Sequence, residues 1–147
     1  MASITETLHV PVPPARAFDH LADFTTTEAW DPSIVRAERL DDGPLQVGSR
    51  FRVGLKVGLV TVPLVYEITR YVRPHHLVLT TRGLTHRGED DISINATEEG
   101  AEVVWNARFS LRGPGRLLDP VLGVGFRRTA TAAVAGLQRS LEALALR

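Results

Sequence analysis

The chain has 147 residues, 44% hydrophobic and 23% charged, with 17 basic and 17 acidic side chains that cancel at neutral pH. That length suits one ordinary domain over 1–147, and the composition is that of a core-forming globular protein rather than a disordered chain. Zero net charge argues against a broad nucleic-acid surface, which needs excess Lys and Arg, and the absence of cysteine excludes disulfides, thiolate nucleophiles and Cys-ligated zinc.

No run approaches the roughly 18 apolar residues that span a bilayer. Met1 to Val10 alternates around Glu6 rather than forming a basic-then-apolar leader, so a cytoplasmic location is expected.

Ser3 to Val10 reads as a strand, with Ile4, Leu8 and Val10 on one face. Pro11, Pro13 and Pro14 end it, because proline cannot donate to a ladder. Pro14 suits the first turn of a helix, and Ala15 to Ala22 follows with Phe18, Leu21 and Ala22 on one side. Thr25 to Trp30 is a second short helix, stopped by Asp31-Pro32.

From there the period is two. Strands are expected at Ile34–Leu40, Arg50–Val57, Val62–Tyr71, His76–Arg82, Glu89–Thr97 and Glu102–Leu111. In the second, Phe51, Val53 and Leu55 oppose Arg50, Arg52 and Lys56; in the third, Leu64, Tyr66 and Ile68 oppose Glu67 and Thr69. In the last, Val103, Trp105, Ala107 and Phe109 oppose Glu102, Asn106 and Arg108. Six or seven such strands with short polar turns make an antiparallel sheet wet on one face.

Gly113-Pro114-Gly115 breaks the sheet, and the rest is helical, starting at Asp119-Pro120 or near Arg116 with a bend at Pro120. About 25 helical residues make a rod of roughly 37 Å, long enough to cross a whole sheet. One helix does not fully cover a curved sheet, and the small residues Thr129 to Gly136 widen the space beneath it. The expectation is an α+β fold with an internal cavity.

Several short motifs bear on family. They are Val10-Pro11-Val12-Pro13, Ala17-Phe18, Trp30-Asp31-Pro32, Asp42-Gly43-Pro44, Val47-Gly48-Ser49-Arg50-Phe51, Arg73-Pro74-His75-His76-Leu77-Val78 and Gly113-Pro114. In this order the chain resembles the polyketide cyclase/dehydrase and lipid-transport branch of the START-like superfamily (SRPBCC). The resemblance implies a helix-grip fold: a curved antiparallel sheet of six to seven strands wrapped around a long C-terminal helix, with two short helices after the first strand and a hydrophobic pocket. It does not imply one activity, because that superfamily holds aromatase/cyclases, lipid carriers, hormone receptors, allergens and a ribosome-directed inhibitor.

Candidate ligand-binding residues follow from the inward faces. Trp30 either stacks on a ring-bearing ligand or plugs the core. The Tyr66 phenol either bonds a ligand oxygen or meets backbone or water. Trp105, Phe109 and Phe126 are core residues that can double as cavity wall, and Phe51, Thr129 and Ala133 complete the set. Arg82, His86 and Arg87 are placed in a strand-connecting loop, solvated and paired with Glu89, Asp90 and Asp91, or else as a cationic rim for a carboxylate or enolate. His75-His76 is read as a water-facing turn. No metal or cofactor is expected: the histidines show no i, i+4 pair, the acids lack calcium-loop spacing, and Ser49 has no G-x-S-x-G context.

Three functions are consistent with this pattern. The first is a carrier or binding protein for a polyketide, isoprenoid or lipid-like molecule. The second is a polyketide cyclase, aromatase or dehydratase, with Tyr66 as its catalytic candidate; such chemistry needs a titratable group on an inward face, and the inward faces read as apolar apart from Tyr66 and Thr81. The third is a protein-interaction module using Arg127, Arg128 and Arg139.

Overall fold

The computed structural model describes residues 2–57, 59–113 and 119–146, with side chains at 3–56, 59–113 and 128–146. The first strand, β1 (Ala2–Val10), leads into α1 (Pro14–Ala22), which begins with proline at its first position as expected where no N–H is needed. Ala17, Phe18, Leu21 and Ala22 form the buried side of α1. A single 3₁₀ turn (Phe24–Thr26) and the four-residue α2 (Thr27–Trp30) follow. Asp23 caps that turn, its carboxylate accepting from the Thr25 N–H at 3.2 Å and from the Thr25 hydroxyl at 2.6 Å.

The strands β2 (Ile34–Arg39), β3 (Arg50–Val57), β4 (Val60–Val72), β5 (His76–Arg82), β6 (His86–Ala96) and β7 (Ala101–Leu111) form one antiparallel sheet with β1, in the order β1-β7-β6-β5-β4-β3-β2. The first and second strands are its two edges. α1 and α2 therefore carry the chain from one edge to the other, and the sheet curls into a half-barrel. The long α3 (Asp119–Leu144) lies against β1 and α2. The fold is the α+β helix-grip arrangement.

Two departures from the sequence reading matter. β4 is longer at both ends than its alternation suggested, and a register shift between Ile68 and Arg70 turns Tyr71 back to the inner side. β6 begins at His86 rather than Glu89, so His86 and Arg87 are strand residues paired with Leu111 and Ser110, not loop residues. The alternative helix start near Arg116 lies outside the described residues. Among those described, no helix is long and apolar enough to cross a membrane.

Burial divides the sheet cleanly. Phe51, Val53, Leu64, Ile68, Leu77, Leu79, Ile92, Ile94 and Val103 are all buried on the inner side, and Ala133, Leu137 and Leu141 of α3 join the same core. Gly136 sets how closely α3 meets α2. A Cβ built there would collide with the Trp30 carbonyl oxygen, and backbone cannot swing aside as a side chain can. Gly136→Ala is expected to destabilise the fold by about 2 kcal/mol, seen as a lower urea midpoint. A midpoint unchanged from wild type would mean that α2 is not held against α3 by this contact.

Candidate functional site

A strand points alternate side chains to opposite faces. On β4 the inner residues are Leu64, Tyr66 and Ile68; on β5 Leu77, Leu79 and Thr81; on β7 Val103, Trp105, Ala107 and Phe109. Along β6 the same parity runs from Ile94 and Ile92 back through Asp90, Gly88 and His86, each opposite an inner residue of β7. The acid Asp90 is thus an inner residue, 9% exposed, between Leu79 of β5 and Ala107 of β7.

Its surroundings are poor in compensation. Burial pushes the Asp90 carboxyl up to about 7, and the negative charges of Asp31 and Glu89 push the same way. The Trp105 indole N–H draws it down somewhat, yet that buried N–H sits in hydrogen-bonding geometry with no described acceptor. The Tyr66 phenol is driven well above its ordinary range by burial, and then by the charges of Asp90 and Asp31. Asp31, just after α2, is itself raised by burial, although Ser33 donates to it from its hydroxyl at 2.6 Å and its backbone N–H at 2.9 Å.

Aromatic rings wall this polar cluster. Trp30 stands edge-on to Trp105, centroids 5.9 Å apart at 87°. Phe24 lies between Phe51 and Tyr66, at 6.1 and 5.0 Å from their rings. Phe109 and His86 are near-parallel at 6.0 Å. Gly88 makes room for that pair, because a Cβ there would meet Phe109 Cδ2 at 2.9 Å. The His86 Nε2 lies 3.3 Å from the Thr81 hydroxyl, and burial lowers its pKa.

The residues named from sequence divide as follows. Trp30, Tyr66, Trp105 and Phe109 meet the cluster, with Tyr66, Trp105 and Phe109 half-buried. Trp30 has both expected characters: its ring faces Trp105, while its indole N–H donates to the Thr26 hydroxyl at 3.1 Å. Phe51 and Ala133 are fully buried core, and Thr129 is half-buried one turn before Ala133. The side chain of Phe126 lies outside the described residues, as does that of Arg127; Arg128 and Arg139 are exposed on α3.

The sequence reading placed Asp90 and His86 in or beside a loop rather than on the inner face, and it singled out neither Asp31 nor the half-buried Glu6, which faces inward opposite Trp105. The inner faces are therefore not apolar apart from Tyr66 and Thr81. Of the supposed solvated acids, Glu89 does lie 3.7 Å from Arg108 on the outer face, and Asp91 pairs with His76 at 2.7 Å. That pair also corrects the water-facing placement of His76, which is half-buried. Among the described residues, no group of three His, Asp or Glu comes together to hold a metal ion.

Residues 1–145 match the family model described as polyketide cyclase / dehydrase and lipid transport. No curated protein sequence is a significant relative of the chain. Protein TTHA0849 from Thermus thermophilus is similar in structure, with a TM-score of 0.78 at 16% identity over 97% of each chain. A START superfamily protein from Mycobacterium smegmatis has a TM-score of 0.78 at 12% identity, covering 98% of this chain and 99% of that one. The Zhui aromatase/cyclase from Streptomyces also has a TM-score of 0.78, at 14% identity over 95% and 93%. At these identities the likeness is one of fold.

The inward acid makes stability depend on pH in an unusual direction. Between about pH 4 and the folded value of about 7, the native protein holds a proton that the unfolded chain has released. Stability therefore falls as pH rises through that window and is level above it, a loss of about 4 kcal/mol from this one group. Asp90→Asn is expected to match wild type near pH 4 and to exceed it by up to about 4 kcal/mol at pH 8, measured by urea unfolding. A difference that stays constant from pH 4 to 8 would contradict the burial of an ionisable carboxyl at this position.

Proposed function

Because the chain belongs to the polyketide cyclase/dehydrase and lipid transport family, we propose that it binds a small, largely apolar, ring-bearing molecule between α3 and the inner face of the sheet. One observation carries this reading: Asp90, the Tyr66 hydroxyl and the Trp105 N–H share one aromatic-walled inner face, and among the described residues the buried Trp105 N–H has no full hydrogen bond, with Asp90 its nearest polar neighbour. Buried polar groups are as a rule paired, so a donor left open beside a buried acid is suited to a ligand's polar end. The rings of Trp30, Trp105, Tyr66 and Phe109 would take up its apolar body, at roughly 25 cal/mol per Å² of apolar surface removed from water.

A groove of about 510 Å³ between α2 and α3, lined by Trp30, Asp31, Gly136, Arg139 and Ser140 among others, gives a route from solvent toward Trp30 and Asp31. The ligand would enter there, past the end of α2. Transport of such a molecule through the cytoplasm is the simplest use of a site of this kind.

Catalysis is a second reading, and Asp90 is the observation that favours it. A carboxyl that titrates near neutrality in a dry site is equipped to take a proton from a carbon between two carbonyls, or to give one to a departing hydroxyl. In that case Asp90→Asn would abolish turnover of a poly-β-ketone while leaving its binding within a few-fold of wild type.

Both tryptophans of the chain are at the site, so intrinsic fluorescence reports on it directly. The protein purified from its source cells is expected to carry a small molecule at near-stoichiometric amount in native mass spectrometry. Stripped and refilled with that molecule, it should show a saturable change in tryptophan emission, weakened at least tenfold by Tyr66→Phe combined with Trp105→Phe. Retention of full affinity in the double variant would remove the ligand from this face.

A further inference from the structure

Among the described residues, the inner face carries acids without a cation bonded to them. Asp90, Asp31 and Glu6 all lie on the inner side of the sheet or at its rim, and Asp90 and Asp31 each act electrostatically on Tyr66. The cationic side chains that the strands turn inward are His86 and Arg39. His86 is biased to its neutral form by burial. Arg39, on the β2 edge beside Phe51, donates from one terminal nitrogen to Asp41 at 3.0 Å, while its buried Nε has no described partner. Arg128 and Arg139 of α3 are exposed. Among the described residues, then, no Lys, Arg or His bonds to Asp90 or Asp31.

A buried carboxyl left without a cation is costly, because removal from water is uncompensated by attraction. The walls around this one are rings. Trp30 and Trp105 stand edge to face, Tyr66 packs on Phe24, and Phe109 is half-buried four residues beyond Trp105. Aromatic faces carry negative charge density and attract a cation laid against them. Carboxylates and rings together describe the two halves of one recognition: a positive charge to pair and stack upon.

We propose that the ligand of this site carries a protonated basic nitrogen, seated between the Asp90 carboxylate and the rings of Trp105, Trp30 and Tyr66, with Asp31 adding to the attraction. This rests on the ligand-binding reading above and narrows it. The same arrangement disfavours an anionic ligand such as a free fatty acid, whose carboxylate would face at least two acids of its own sign. A bound cation would also supply a counter-charge that no described residue gives to Asp90 or Asp31.

The groups that surround Asp90 set the pH behaviour. Asp31 after α2, Glu89 on its own strand and Trp105 on β7 act on it, Tyr66 on β4 feels its charge, and Glu6 of β1 and His86 of β6 share the same inner face. Because the cation pairs with the ionised carboxyl, affinity should rise about tenfold per pH unit up to roughly 7 and then level off.

The experiment uses three probes of one shape: 2-naphthylmethylamine, 2-naphthylmethanol and 2-naphthoate, titrated at pH 7.5 against the whole protein by calorimetry and tryptophan emission. The amine is expected to bind at least tenfold more tightly than the alcohol, and the carboxylate more weakly than either. Asp90→Asn, which keeps the shape and is expected to fold, should bring amine and alcohol within threefold of each other. Equal binding of amine and alcohol by wild type, or an amine preference that survives Asp90→Asn, overturns the charge assignment and leaves the binding site standing. Failure of all three probes to bind overturns the ligand reading and this inference with it.

Discussion

Every second side chain of a strand goes to the same side of its sheet, and a register locked on both edges cannot be relaxed for one residue. β6 is held in this way, paired along its whole length to β7 and from Arg87 to Ser93 to β5. Ile92 and Ile94 must face the core, so Asp90, Gly88 and His86 must face inward with them. The acid is not accommodated by a local twist or bulge in this strand. Instead its pKa moves, and among the described residues no Lys, Arg or His bonds to it. The polar cluster beneath α3 is thus a consequence of strand parity applied to an unlikely residue.

That choice weighs against stability. An apolar side chain of similar volume at position 90 would relieve both the desolvation of the carboxyl and its repulsion from Asp31. Folds retain such groups where a site needs them, and the destabilised position is offset by packing elsewhere. Here the offset is visible: Leu8, Ile68, Leu77, Leu79, Leu137 and Leu141 are each at most 2% exposed around the cluster. The inner side of the molecule is therefore two regions in one surface. Aliphatic residues towards the core hold α3 to the sheet, and buried and half-buried aromatic and acidic residues form a second region towards α2.

The relatives in structure share this chain's arrangement of seven strands and a long C-terminal helix at identities of 12–16%. A fold preserved at that distance is preserved by its packing pattern, since few individual residues remain in common. Function in such a family lies in the few inward side chains that packing does not dictate. In this chain the inner face carries Asp90, Tyr66 and Trp105, with Asp31 and Trp30 of the α2 end beside them, so it is not a plain apolar surface.

The sequence by itself determined the order of elements, the antiparallel sheet, the long closing helix and the family to which they belong. These follow from period-two and helical spacing, from proline positions and from short turn motifs, all of which act over a few residues. It also placed Tyr66, Trp105 and Phe109 on the inner face, because each strand carries clear aliphatic neighbours that mark the side. Asp90 was legible in principle, by stepping back from Ile94 and Ile92 in twos. It was obscured by Glu89 and Asp91 on either side, since three consecutive acids resemble a solvated turn. What no local pattern contained was the meeting of Asp31 and Trp30 with Asp90 and Tyr66. Those residues come from three separate parts of the chain, and only the curl of the sheet and the seating of α2 against Gly136 bring them to one place. Desolvation and unneutralised charge are properties of that assembled surface, so the character of the site was decided by tertiary structure.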